Sequence, residues 1–419
     1  MAIVYGANYG RPTLDINFAK NKSLIDGVSG LNLVSFGRGS TGTYVGVDGL
    51  IKTAIANEPR FDHDPVTGVC NGLLVEESRT NSLPYSQGFT SGWHTANAQV
   101  TTGQADPVGG TNAVLVKQTN GTSTLQYISS LTSTRITANF TVSVFVKYVN
   151  YDYVILSGAD EDSNPTGTRF GYLLPKLRFQ FSTETIAFQE STWGGTTTLG
   201  YGVQKYSNGW YRLWFTRSTA VRNNWWGIAV QSGYDTVSDL NGVVGDNSSS
   251  VLAFGFQVEQ GPFPTTYIPT TVSTVTRSVD QASITGTNFS RWYNSSEGTV
   301  LFDSALNEST DATPSIIFGN YLWATSPQAW RTTGNQGIMG SSSSRTIRTK
   351  HAFALKSNDH AVSINGGAVL AASFNNSTSP ASSGPVSFNA NGNTLNGYIS
   401  RLTYWPSRLQ DSQLQRLTK

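Results

Sequence analysis

The chain has 419 residues, of which 38% are hydrophobic, 11% aromatic and only 13% charged. Disordered chains are rich in charge and poor in aromatics, so this composition excludes disorder. The net charge of +2, from 28 basic and 26 acidic residues, excludes a strong electrostatic footprint for nucleic acid or an anionic membrane.

At roughly 100–200 residues per domain, the length allows two to four domains. The single cysteine, Cys70, excludes an internal disulfide framework and a cysteine-rich zinc site. Met1-Ala2-Ile3-Val4-Tyr5-Gly6 lacks the basic region and apolar core of a secretory signal. No run approaches about 18 apolar residues, so no membrane insertion is expected.

Alternation of apolar and polar residues is common along the chain, and helical periodicity is scarce. The expected fold class is therefore all-β: a strand-and-loop connector followed by two antiparallel β-sandwich or jelly-roll domains and one short C-terminal helix. Residues 1–82 are glycine-rich, and Asp26-Gly27, Asp48-Gly49 and Asn71-Gly72 suit tight turns with positive φ. Only short apolar pieces lie between them, such as Leu73-Leu74-Val75. This block reads as a connector, mount or interface segment too open for a large core.

Residues 83–280 carry the clearest strands and form the first expected sandwich. In Thr141–Tyr148, one face holds Val142, Val144, Val146 and Tyr148, and Phe145 interrupts the other. Tyr211, Leu213 and Phe215 share a face, with Arg212, Trp214 and Thr216 opposite. In Leu252–Glu259, the apolar face is read as Leu252, Phe254, Phe256 and Val258. Pro269 cannot donate to a ladder, so pairing should stop there or run along an edge.

The second expected sandwich spans residues 281–419. Its strands include Gly298–Phe302, Ser315–Phe318, His351–Leu355 and Ala361–Ile364, and Asn365-Gly366 is a strong hairpin turn. Asp411 is placed as the cap of a short final helix whose Leu414 and Leu417 face inward.

Several stretches resemble bacteriophage tail-fibre, spike and head-decoration proteins of the carbohydrate-binding-module and lectin type. They are Leu14–Ala19, Ser40–Tyr44, Asn57–Pro65 and Gly72–Asn81, followed by Tyr85-Ser86-Gln87-Gly88-Phe89 with Trp93. Gly209–Arg212, Gln257–Gly261 and Thr265–Thr270 continue the likeness through the first sandwich. The ending Gly397–Leu409 resembles the closing strand of a concanavalin-A-like or laminin-G-like jelly roll.

The resemblance implies a non-enzymatic structural protein of the phage particle, in tail or head, acting as a homotrimer. Its first block would join other virion proteins. Its partner would be host cell-surface polysaccharide or lipopolysaccharide, held reversibly, with avidity raised by repetition around the particle. The alternative is a capsid decoration or cement protein with a purely structural role. A polysaccharide depolymerase ranks last. No cofactor is implied beyond a structural calcium ion, which lectin-like sandwiches commonly carry.

Candidate chemistry follows from residue type. Of the four histidines, His63, His94, His351 and His360, none sits in a nucleophile elbow. Glycoside hydrolysis needs two carboxyl groups across a cleft; the densest acidic run, Asp160-Glu161-Asp162, reads better as a solvated loop. Asp62-His63-Asp64 offers alternating oxygen ligands for calcium, but Pro65 favours a turn with hydrogen-bonded Asp side chains.

Aromatics are the strongest ligand candidates. An exposed indole can stack on the apolar face of a sugar ring while nearby polar groups bond its hydroxyls. Trp210, Arg212 and Trp214 share the face expected to point outward. Trp225-Trp226 places one ring on each side of its sheet. Trp193 precedes a Gly-Gly loop, and Tyr321, Trp323 and Trp330 are placed in or near loops. For any one of these, burial in a core or an interface is the competing explanation, because Trp is usually highly buried.

Overall fold

The computed structural model describes residues 9–89, 91–119, 126–131, 134–136, 138–160, 175–190, 197–218, 222–230, 245–306, 314–318, 321–325, 328–332, 348–373, 386–390 and 393–419. Period-2 alternation gives each strand one apolar face. The described strands bury those faces by stacking as two antiparallel sandwiches, so the fold is all-β as the alternation predicts. The final helix is Asp411–Thr418, with Leu414 and Leu417 buried; its cap is Gln410 in a capping box with Gln413, one residue earlier than expected.

The first sandwich is continuous in sequence. One sheet runs in the spatial order Thr198–Lys205, Trp210–Arg217, Phe140–Tyr148, Ser250–Gln260, Ala113–Gln118 and Ala98–Gln104. The facing sheet runs Thr185–Gln189, Lys176–Gln180, Tyr153–Asp160, Arg222–Ala229, Tyr127–Ser130 and Trp93–Ala96. Between them lie Val142, Val144, Val146, Leu213 and Phe215 from one sheet and Leu156, Trp226 and Ile228 from the other.

The 250–260 strand departs from the expected pattern. Its pairing with 140–148 slips between Ser143 and Phe145, and Gly255 has φ +64°. Such a bulge exchanges the faces of a strand. Phe256 and Val258 therefore enter the core between the sheets, whereas Phe254 joins a second apolar cluster on the outer face, with Leu252 packed against it. A Cβ at Gly255 would lie 2.9 Å from the Phe145 ring, so the bulge depends on glycine.

The second sandwich is assembled from both ends of the chain, and the expected divisions at 82 and 280 do not separate independent units. One sheet runs Leu370–Ala372, His360–Ile364, Thr349–Lys356, Glu297–Leu306, Gly397–Trp405, Cys70–Val75 and Phe61–His63, and Leu14–Ile16 also pairs with the 397–405 strand. The other runs Ser35–Gly37, Gln281–Ile284, Val386–Ser387, Pro314–Phe318, Tyr321–Thr325 and Gln328–Thr332. The shared core holds Leu14, Phe18 and Leu73 beside Val300, Phe302 and Leu402. Alternation reports that a strand has a buried face, but not which distant strand supplies the cover.

Asn71-Gly72 lies inside the 70–75 strand rather than at a hairpin turn. At Gly72, with φ +118°, a Cβ would fall 2.1 Å from the Ile399 carbonyl oxygen. The first sandwich is thus an insertion in the second. The chain enters and leaves it through a two-stranded ribbon, Arg79–Asn81 against Val275–Arg277.

Charged residues that flank this ribbon are buried. Arg38 Nη1 lies 3.0 Å from Asp280, and Arg60 Nη1 lies 2.7 Å from Glu76; Arg60 also pairs with Asp280 through its other terminal nitrogen. Arg277 adds a longer contact to Glu76 at 3.6 Å. All five side chains are at most 1% exposed. Removing one partner from a buried ion pair strands the other charge, at a cost of about 3–5 kcal/mol. Asp280→Ala should lower the unfolding free energy by about that amount in denaturant titration; a loss below about 1 kcal/mol would show that the cluster does not hold the fold.

Candidate functional site

The outer face of the 210–217 strand is largely covered by the chain itself. The hairpin Gly42–Val45/Ile51–Ala54 crosses it, bringing Val45 and Ile51 against Phe145, Tyr206, Trp210, Phe254 and Tyr267. Arg60, Asp62 and His63 hold that hairpin. Arg60 Nη1 donates to the Thr43 carbonyl at 2.8 Å, Asp62 accepts the Val45 N–H at 2.5 Å, and His63 Nδ1 lies 2.9 Å from the Val45 carbonyl. Asp64 takes the N–H groups of Val66 and Thr67 in a turn. The Asp62 and Asp64 carboxylates are therefore committed to hydrogen bonds within the chain, Asp62 with the Tyr398 hydroxyl as well and Asp64 with Thr67 Oγ1. No cluster of three or more acidic, His or Cys side chains suited to a metal occurs among the described residues.

Where the hairpin, the first sandwich and the second sandwich meet, they leave a cavity of about 230 Å³. The hairpin contributes Thr43, Tyr44 and Val45; the outer face contributes Gln204, Tyr206, Arg212 and Trp214. Segment 264–267 closes one side, and Asp62, Glu76 and Tyr398 come from the second sandwich. Junctions between domains are common places for ligand sites.

Trp214 is half-buried and walls this cavity. Its register partner on the neighbouring strand is Gly202. A Cβ at Gly202 would come within 2.9 Å of the indole Nε1, and one at Gly200 within 3.5 Å of the six-membered ring. The indole thus lies across a strand whose side chains are missing at those positions. Arg212, in contrast, is committed: Nη1 donates to the Thr265 carbonyl at 2.6 Å, and Nε and Nη2 both donate to Ser143 Oγ.

The two carboxylates of the cavity differ in state. Burial pushes Asp62 up to about 7, against the Val45 N–H and the Tyr398 hydroxyl that favour its ionised form. Glu76 is equally buried, but the positive charges of Arg277 and Arg60 and two hydrogen bonds from Thr266 overcome that and hold it at about 2. Both Glu76 oxygens are occupied, Oε1 by the Thr266 N–H at 2.8 Å and Oε2 by Arg60 and Thr266 Oγ1 at 2.7 Å.

The remaining predicted residues fall as follows. Trp210 is 2% exposed and packs on Phe254, so it is core. Trp226 is fully buried between the sheets, while its neighbour Trp225 is half-buried, which matches the expected opposition of adjacent strand residues. Tyr321, Trp323 and Trp330 lie in strands rather than loops, with Trp323 paired to Trp330. Register puts the position of Tyr321 opposite Phe318, a core residue. Trp193, Glu161 and Asp162 lie outside the described residues, and Asp160 ends the 153–160 strand. Burial pushes His351 and His360 down to about 4, so both rings are neutral at neutral pH.

Sequence reasoning missed Tyr44, Gln204 and Tyr398, because the cavity they line exists only once both sandwiches are assembled. A second hollow of about 720 Å³ lies near the 35–37 and 61–63 strands, with Leu24, Val34, Phe36 and Phe61 in its wall and Lys22 as its charged member.

No family model and no curated protein matches the sequence. Solved structures of Trypanosoma rangeli sialidase, in complexes with sialic acid, with 2,3-difluorosialic acid as a covalent intermediate and with the inhibitor DANA, align at 9–10% identity and TM-scores of 0.25–0.26. The alignments cover 77% of this chain and 62% of the sialidase chain, so this chain spans less than two thirds of those proteins. A likeness at this level defines neither fold nor activity.

The Asp62 carboxyl links stability to pH. Its folded-state value of about 7 exceeds its ordinary value of 3.8. Between those values the folded protein binds the extra proton, so this group lowers stability as pH rises from 4 to 7 and adds no further slope above 7. Asp62→Asn should flatten that slope and make the protein more stable than wild type at pH 8. Each tenfold difference in proton affinity between the folded and unfolded chain is worth about 1.4 kcal/mol, which bounds the gain. Denaturant unfolding at pH 4, 6 and 8 measures it; equal slopes in the two proteins would contradict the assignment.

Proposed function

We propose that the chain is a structural protein of a phage particle, in tail or head, that holds host surface saccharide reversibly. The observation that carries the binding part is the cavity at the junction of the two sandwiches, walled by the Trp214 indole and ringed by polar groups. A flat apolar ring beside hydroxyl and amide groups is the combination a pyranose needs. The particle part rests on the fibre-like sequence blocks. Several of their residues, Arg60, Glu76, Thr266 and Tyr267, build or brace the cavity wall.

The occupied oxygens of Glu76 and the burial of Asp62 support binding over hydrolysis. A homotrimer, repeated on a particle, would turn weak single contacts into firm attachment. The decoration reading draws on a different observation. Val47, Val66 and Val69 are 67%, 49% and 58% exposed at neighbouring turns, a surface that could seat another virion protein.

The test has two arms. Immunogold labelling with antibody to this protein should mark the surface of the phage that carries it. The purified protein should bind a host polysaccharide saturably and leave the polymer uncut. Label confined to the cell lysate would overturn the particle assignment, and release of oligosaccharide products would overturn the non-enzymatic one.

A further inference from the structure

The lining of the cavity combines a small volume with few charged groups. Its volume of about 230 Å³ is below the roughly 300–1,000 Å³ of pockets that enclose drug-sized ligands, so it admits one ring. Its described lining holds one cation, Arg212, whose three guanidinium nitrogens already have acceptors and whose carbon lies 5.4 Å from the Phe145 ring centroid. The acidic groups in the lining are Asp62, pushed up to about 7, and Glu76, whose charge Arg60 and Arg277 already meet.

An acidic sugar entering here would bring its carboxylate into a largely enclosed space whose one lining cation, Arg212, already has every guanidinium nitrogen bonded, and an unpaired buried charge is strongly unfavourable. A neutral ring meets no such cost. Its apolar face can rest on the Trp214 indole, which the bare backbone of Gly200 and Gly202 lets lie flat, and its hydroxyls can bond the Gln204 amide nitrogen, whose oxygen already accepts from Tyr206, and the half-buried Tyr44 phenol.

We propose that the inter-sandwich cavity is a subsite for one uncharged pyranose ring, stacked on Trp214, and that it rejects uronate- and sialate-type rings. This rests on the saccharide-binding reading above and names its ligand class and its place. Gly202 acts here as a positioning residue: it never touches the sugar but sets where the indole lies.

Titration calorimetry of the intact protein tests it, with neutral glucan, galactan and mannan oligosaccharides in one arm and uronate- and sialate-terminated oligosaccharides in the other. At least one neutral probe should bind, and the acidic probes should bind at least tenfold more weakly. Trp214→Ala should weaken the neutral probe at least tenfold. Gly202→Ala should do the same while keeping every aromatic residue, because its new Cβ lies 2.9 Å from the indole and must displace it. Both variants are to be checked for wild-type circular dichroism, and Tyr44→Phe, at a half-buried lining position, serves as a milder third.

Neutral binding untouched by Trp214→Ala and Gly202→Ala would overturn the cavity as the site and leave saccharide binding standing elsewhere. Acidic probes binding as well as neutral ones would overturn the ligand class. No binding by any probe would overturn the saccharide reading and this inference together.

Discussion

Arg38, Arg60, Glu76, Arg277 and Asp280 form a buried charge cluster on which the rest of the architecture depends. Three members come from before the inserted sandwich and two from after it. Burying five charges is expensive, and a buried ion pair is often no more stabilising than apolar residues of the same size. Its consequence here is specificity of arrangement. Arg60 reaches Thr43 on the hairpin, Glu76 reaches Thr266 beyond the last strand of the insert, and Asp280 takes the Glu76 N–H at 2.8 Å. Apolar substitutes could fill that space but could not pin these chain segments in one register.

The cavity is a by-product of that pinning. The hairpin and segment 264–267 are tied to the second sandwich by polar contacts, and to the first by Val45, Ile51 and Tyr267. Held from both sides, they cannot collapse onto the sheet face, and the space beside Trp214 stays open. The same pinning explains the state of Asp62. It is enclosed where the burial outweighs its compensation from one backbone N–H, one phenol and the charge of Arg60, so it favours its proton.

Much of the fold was legible from local pattern. The alternation in 141–148 and 211–217 named the inner faces correctly except at the strand end, where Tyr148 is 51% exposed, and Asn365-Gly366 marked its hairpin, with φ of 47° and 73°. What local pattern misread was exchange and partnership. One bulge at Gly255 sent Phe254 to the outer face, and alternation alone carries no sign of such a slip. The strands at 14–16 and 70–75 find their partner more than three hundred residues away, in 397–405. The same limit applied to the site. Trp210, Arg212 and Trp214 were rightly placed on one face, but what covers that face comes from residues 42–54, so Trp210 and Arg212 are buried and only Trp214 keeps an open side.

A ligand seated between the two sandwiches would be seen most directly in a crystal structure of the intact protein soaked with the tightest-binding neutral oligosaccharide. The expected result is density for one sugar ring against the Trp214 indole, bounded by Tyr44 and segment 264–267, with the rest of the oligosaccharide leading outward. Sugar density on an outer surface of either sandwich, with the cavity holding only water, would contradict it.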